Sequence, residues 1–172
     1  MAGITTALVR ATGTITLDVA TEATEGETVV IGGKTYTFLG TVGALDGSVH
    51  IGAADTDTVA NLVAAINDDI TDGETGTAGV DYGAATVRNP CVYATVNAAA
   101  EVITLHAHVP GSIGNVIPLT AGTSGVTVSG SVLASGTGII GDFFDEMFGS
   151  VQLNSEAMQV LSQFSVDANG TV

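Results

Sequence analysis

Apolar and polar residues alternate strictly through TGTITLDV at 12–19, with Ile15, Leu17 and Val19 in one phase and Thr14, Thr16 and Asp18 in the other. Successive side chains leave opposite faces of a pleated backbone, so this period of two predicts a strand with one buried face. GETVVIGGKTYTF at 26–38 carries the same period on both sides of a Gly-Gly pair. If Gly32 and Gly33 form a two-residue turn with positive φ angles, Ile31 pairs with Lys34, Val29 with Tyr36 and Glu27 with Phe38. That register puts Val29, Ile31, Tyr36 and Phe38 on one face and Thr28, Thr35 and Thr37 on the other. Lys34 then lies along the edge of the apolar face with its charge in water.

SVHIGA, around 49–51, reads as a further short strand, after which the period changes. In ADTDTVANLVAAINDD, Val59, Leu62, Val63 and Ile66 recur at i, i+3, i+4 and i+7, the stripe of an amphipathic helix. The helix is expected over 56–69, with Asp55 or Asp57 capping its N-terminus. ITDGETGTAGVDYGAATVRNP shows no sustained period and predicts a long exposed loop.

CVYATVNAAAEVITLHAHV reads as a hairpin, in which Ile103, Leu105, Ala107 and Val109 share one face while Thr104, His106 and His108 share the other. PGSIGN at 110–115 has turn chemistry. VIPLTAG and GVTVSGSVL predict two more strands, the second with Val126, Val128 and Val132 in phase. The fold class that follows is mainly β (α+β): an antiparallel β-sandwich or barrel-like domain with one packed amphipathic helix, plus short C-terminal helices. Its divisions are an N-terminal arm or edge strand at 1–11, the β-rich domain at 12–136 and a C-terminal segment at 137–172.

That last segment differs in composition from the rest. Phe143, Phe144, Met147, Phe148, Met158, Leu161 and Phe164 lie in a stretch with no Lys or Arg, and GDFFDEMFGSV and NSEAMQVLSQF each fit a short helix. Helices this short need a surface to pack against. Two roles are open: the aromatics cover an end of their own sheet, or the segment is an arm that docks on a partner.

Composition narrows the field of functions. Of the 172 residues, 18 are Asp or Glu and only 3 are Lys or Arg, a net charge of -15. Nucleic acid is therefore an unfavourable partner, since binding it requires clustered cations, and an anionic membrane is equally so. With 45% hydrophobic residues and 12% charged, the chain has the means to fold. The first residues lack the basic start and apolar run of a secretion signal, and no stretch offers the roughly 20 apolar residues of a membrane span. A single cysteine, Cys91, excludes an internal disulfide. Synthesis and folding in a cytoplasm are expected.

Motifs of chemistry mostly fail on spacing. Gly-Gly-Lys-Thr at 32–35 suggests a phosphate-binding loop, but the required first glycine falls on Thr28, and TYTF continues as a strand where a helix must begin. His106 and His108 leave one strand face together, which is half a metal site; a third ligand would have to be His50, brought by the fold, or Cys91. Solvent-facing histidines are the simpler reading. NDDITDGETG fails as an EF-hand loop, because with Gly73 in sixth place Ile70 and Gly79 occupy ligand positions, although an irregular acidic site stays open. No serine lies in a Gly-x-Ser-x-Gly elbow, and Asp145 and Glu146 diverge on a helix. No catalytic, cofactor-binding or metal residues are assigned.

TGTITL, GETVVIGGKTYTF, VHIGA, TVANLVAAIN and GSIGNVIPL, in this order, resemble a β-rich module of tailed-bacteriophage virion proteins, among them head and tail components. The resemblance covers about 12–120 and rests on the IGGKTYTF hairpin and the NLVAAIN helix, with GSIGN in support. It implies a structural, non-enzymatic role without cofactor or catalytic positions. The expectation is a capsid decoration (cement) protein on the outer head surface, a homo-oligomer, for instance a trimer, bound to the major capsid protein in a virion assembled in the host cytoplasm. The rivals are a tail component (tube, baseplate or fibre) and a host-surface glycan-binding module using the loop at 71–89. The seven apolar residues of the C-terminal segment are the expected partner-docking positions.

Overall fold

The computed structural model describes residues 7–17, 23–68, 76–97, 101–122 and 125–138. The chain is mainly β; the described residues form eight strands in two four-stranded sheets and one α-helix. In chain order the strands are β1 (Thr12–Leu17), β2 (Thr28–Ile31), β3 (Lys34–Leu39) and β4 (Ser48–His50), then helix α1 (Asp55–Asn67). β5 (Val92–Asn97), β6 (Val102–Ala107), a 3-10 turn at Ser112–Val116, β7 (Leu119–Ala121) and β8 (Val126–Val128) follow. The first sheet runs β5-β6-β1-β8 and the second β4-β3-β2-β7.

Alternation predicts the buried faces correctly. Ile15 and Leu17 of β1, Val29 and Ile31 of β2, Tyr36 and Phe38 of β3, and Ile103, Leu105 and Ala107 of β6 are all fully buried in one cluster. The β2–β3 hairpin has the predicted register, Ile31 opposite Lys34 and Val29 opposite Tyr36. Its turn residues Gly32 and Gly33 have φ of 60° and 86°, the left-handed pair that a two-residue turn requires. At the open end the pairing is bulged: Phe38 donates its N–H to Glu27 O, but its carbonyl accepts from Gly26, whose φ is 85°.

Helix α1 lies against β4 and β5, one outer strand from each sheet. Val59, Leu62, Val63 and Ile66 are buried as the stripe predicts, and so are Thr58, Asn61, Ala64, Ala65 and Asn67. On the opposite side the chain itself links the sheets. Leu119 N–H donates to Ser131 O at 2.9 Å and Leu133 N–H to Ile117 O at 3.0 Å, while Thr12 and Ala134 exchange two bonds of 2.8 Å.

Several expectations need correction. The sheets are not wholly antiparallel: β4 runs parallel to β3, with Phe38 beside Val49. The helix spans Asp55–Asn67 rather than 56–69, and its N-cap is Ala54 with no side-chain cap bond. Asp55 and Asp57 instead occupy the first turn, where their charges suit the helix dipole. The helix stops at Asp68, whose left-handed conformation (φ 34°) returns an N–H to Ala64 O. The described part of the loop at 71–89 is not wholly exposed, since Tyr82, Thr86 and Asn89 are buried. Tyr82 bridges to Val49, and Thr86 Oγ1 accepts the N–H of Gly47.

Val109 lies beyond the end of β6 and is exposed; Val132 is exposed too, and Leu133 takes the core position. PGSIGN is a turn, built as one 3-10 helix following Gly111. In the 1–11 segment, Ala11 is fully buried and Val9 bridges to Thr137. Asp18 and Val19 fall outside the described residues.

Candidate functional site

Lys34 departs from the snorkelling expected of it. Its Nζ lies 2.8 Å from Asp46 Oδ1, bonds the Val87 carbonyl and stands 5.4 Å from the centre of the Tyr36 ring. Its side chain is only 11% exposed. The Lys34 ammonium, by hydrogen bond, holds the Asp46 carboxyl below its usual range. The lysine is therefore spent on fastening the hairpin to the segment at 46–47 and 86–87. Lys34 follows the Gly32-Gly33 turn as the first residue of a strand, not of the helix that a phosphate-binding loop opens.

Beside it lies the polar centre of the fold, which sequence reasoning missed. Asn89 is fully buried and every polar group is used. Its Nδ2 donates to Ile31 O at 3.1 Å and Tyr36 Oη at 3.3 Å, and its Oδ1 accepts from Cys91 and Val92 N–H at 2.9 and 3.2 Å. Its backbone N–H donates to Ile66 O at 2.8 Å, so one residue joins the hairpin tip, the end of α1 and the start of β5. Burial pushes the Tyr36 hydroxyl pKa well up, against the smaller opposing effect of the Asn89 bond. Two more asparagines, both within the NLVAAIN motif, act in the same way. Asn61 Nδ2 donates to His50 O at 2.9 Å; Asn67 gives and takes bonds of 2.9 and 2.8 Å with the backbone of Ala94. Their signal was visible as amides flanking an apolar stripe, positions that amphipathicity alone assigns to water.

The outward face of β5–β6 has a different character. His106 and His108 do leave it together, as predicted, and both rings contact Tyr93, which lies opposite His106. The His106 ring stacks on Tyr93 with centroids 4.9 Å apart, and His108 is tilted at 5.8 Å. His106 Nε2 is 3.1 Å from Thr95 Oγ1, and His108 Nε2 is 3.2 Å from Asn89 O. Arg10 lies over the same tyrosine at 5.9 Å, and its Nη1 donates to the carbonyls of Ala107 and His108. Partial burial and, secondarily, the Arg10 charge lower the His106 pKa below its usual 6.5. His108 also walls a shallow hollow of about 350 Å³ with Arg88, Asn89 and Pro90.

His50 is not brought to these histidines. It borders a separate open hollow of about 360 Å³ with Asp57, Asn61 and Asp81. Cys91 sits under the hairpin tip, its Sγ 3.8 Å from Gly32 O. Among the described residues no three His, Cys, Asp or Glu side chains gather as a metal site. Nor is any described helix long and apolar enough to cross a membrane. Phe143, Phe144, Met147, Phe148, Met158, Leu161 and Phe164 all lie outside the described residues, as does the acidic stretch at 69–75. No family model, curated protein or solved structure matches the chain.

Proposed function

We propose that this chain is a structural, non-enzymatic component of a tailed-bacteriophage virion, first of all a homo-oligomeric decoration protein bound to the major capsid protein on the outer head surface. One observation carries the reading: the residues behind the virion-module resemblance serve packing. Ile31, Tyr36 and Phe38 of the hairpin motif fill the core, and Lys34 is ion-paired. Leu62, Val63 and Ile66 of the helix motif are buried between amides that bind both sheets. A module whose large apolar hairpin and helix residues serve its interior leaves its exterior free to be specified for a particular site on a particle. The charge of -15 adds mutual repulsion between free protomers, which keeps a protein made in many copies dispersed until it assembles.

The test is to locate the chain on purified particles by gold-labelled antibody in the electron microscope, then to add pure protein to expanded heads that lack it. Label over the head surface, with saturable binding in fixed stoichiometry and greater resistance of the heads to heat, is the expected result. Label confined to tails moves the chain to the tube, baseplate or fibre, and its absence from particles overturns the virion reading altogether.

A further inference from the structure

In a chain with 3 cationic side chains, their disposition is informative. Lys34 is neutralised by Asp46. Arg88 is exposed and has no hydrogen-bond or ion-pair partner among the described residues. It shares the hollow with His108, whose carbonyl is held by Arg10. This corner therefore collects both arginines and a histidine, and its border is apolar. Val9, Val109 and Ile113 are 47%, 46% and 57% exposed. Their segments are joined by the bond of 2.9 Å from Gly111 N–H to Val9 O, Gly111 lying two residues from both Val109 and Ile113.

The described chain ends at the same place. Thr137 exchanges backbone bonds with Val9, and the Gly138 carbonyl accepts from Ser112 N–H at 2.8 Å, next to Ile113. Residue 139 therefore departs from the border of the cationic, apolar corner. Four residues beyond Gly138 comes DFFDEMF, 142–148, which pairs aromatic and sulfur side chains with three carboxylates and contains no cation. The other acidic stretches, TEATEGE and NDDITDGE, lack aromatics. At about 3.3 Å per extended residue, DFFDEMF starts within roughly 15 Å of Gly138. A tether this short gives an effective concentration on the order of millimolar, ahead of any separate molecule of equal chemistry.

We infer that the corner formed by Arg10, Arg88, His108, Val9, Val109 and Ile113 is the docking surface for residues 142–148 of the same molecule, with Phe143 and Phe144 on the valines and Ile113 and the carboxylates toward Arg88. The inference does not depend on the virion reading.

Backbone hydrogen exchange of the full chain tests it. Segments 142–148, 87–90 and 108–113 are protected together, equally at protein concentrations differing a hundredfold. F143A/F144A speeds exchange in all three by more than about tenfold, in keeping with the loss of two buried aromatic rings. R88E speeds it about two- to fivefold, the scale of an exposed ion pair. Adding D145K/E146K to R88E restores protection. Unchanged exchange in β1 and β6 certifies that each variant remains folded. Three results overturn the inference: protection that fades on dilution, which makes a second copy the occupant; variants that exchange like the parent; or failure of the charge reversal to restore protection.

Discussion

The two hairpins of this protein share a construction and differ in what they turn outward. Both β2–β3 and β5–β6 bury most of one alternating face, with Val96 at the end of β5 exposed. The outward side of the first carries Thr28, Val30, Thr35, Thr37 and Leu39; that of the second carries Tyr93, Thr95, His106 and His108, with Arg10 laid across it. The inward faces determine that the chain folds, whereas only the second outward face has the ring stacking and charge that a partner can read. Interior and exterior thus carry separate instructions, and substitutions should separate them.

The largest effect is expected from the first hairpin's interior. Phe38→Ala removes a fully buried ring and should cost about 3 to 5 kcal/mol in chemical denaturation. The turn should discriminate between its two glycines. A Cβ at Gly32 would stand 2.8 Å from Cys91 Cβ in addition to the left-handed backbone, whereas one at Gly33 would meet nothing within 4 Å. Gly32→Ala should therefore cost about 2 to 4 kcal/mol and Gly33→Ala about 1 to 2, measured in the same way. A Gly33 variant as damaging as the Gly32 variant would remove the close approach from the explanation.

On the outward face of the second hairpin, Tyr93→Ala gives up ring stacking and an arginine contact but no core position. About 1 kcal/mol is expected, with near-native spectra. A cost equal to that of Phe38→Ala would abolish the contrast between the faces. The smallest effect is one of pH. Burial and Arg10 hold the His106 pKa below 6.5, so as pH falls the unfolded chain takes up its proton first. This contribution is fully present above 6.5 and is lost as pH falls through the folded-state value. His106→Gln should flatten this part of the decline in urea midpoint between about pH 7 and 5; an unchanged slope would assign it to other groups.

The interior was legible in the sequence because its rules are local. Counting outward from Gly32-Gly33 fixes the hairpin register, and four apolar residues at helical spacing fix the buried side of α1. Pairings across the chain were not legible: nothing local says that β1 lies between β6 and β8, or that β4 runs parallel to β3. Asn89 was hidden for the same reason, since in sequence it is one polar residue of a glycine-rich loop and its partners are up to 58 residues away. The cationic corner draws on three segments, with Arg10 and His108 98 residues apart. An acidic composition conceals such a place, because two arginines in a long sequence look isolated until the fold brings each of them to His108.

The amides of α1 have a further consequence for assembly. β4 and β5 are the outer strands of their sheets, the positions where another chain could join by adding a strand. Asn67 occupies the backbone of Ala94 on one, while Asn61, Asp81 and Gly83 bond the backbone of the other at His50 and Ser48. At those places the ladder is already closed. Open-ended sheet extension of the kind that produces fibrils is therefore disfavoured at these two edges.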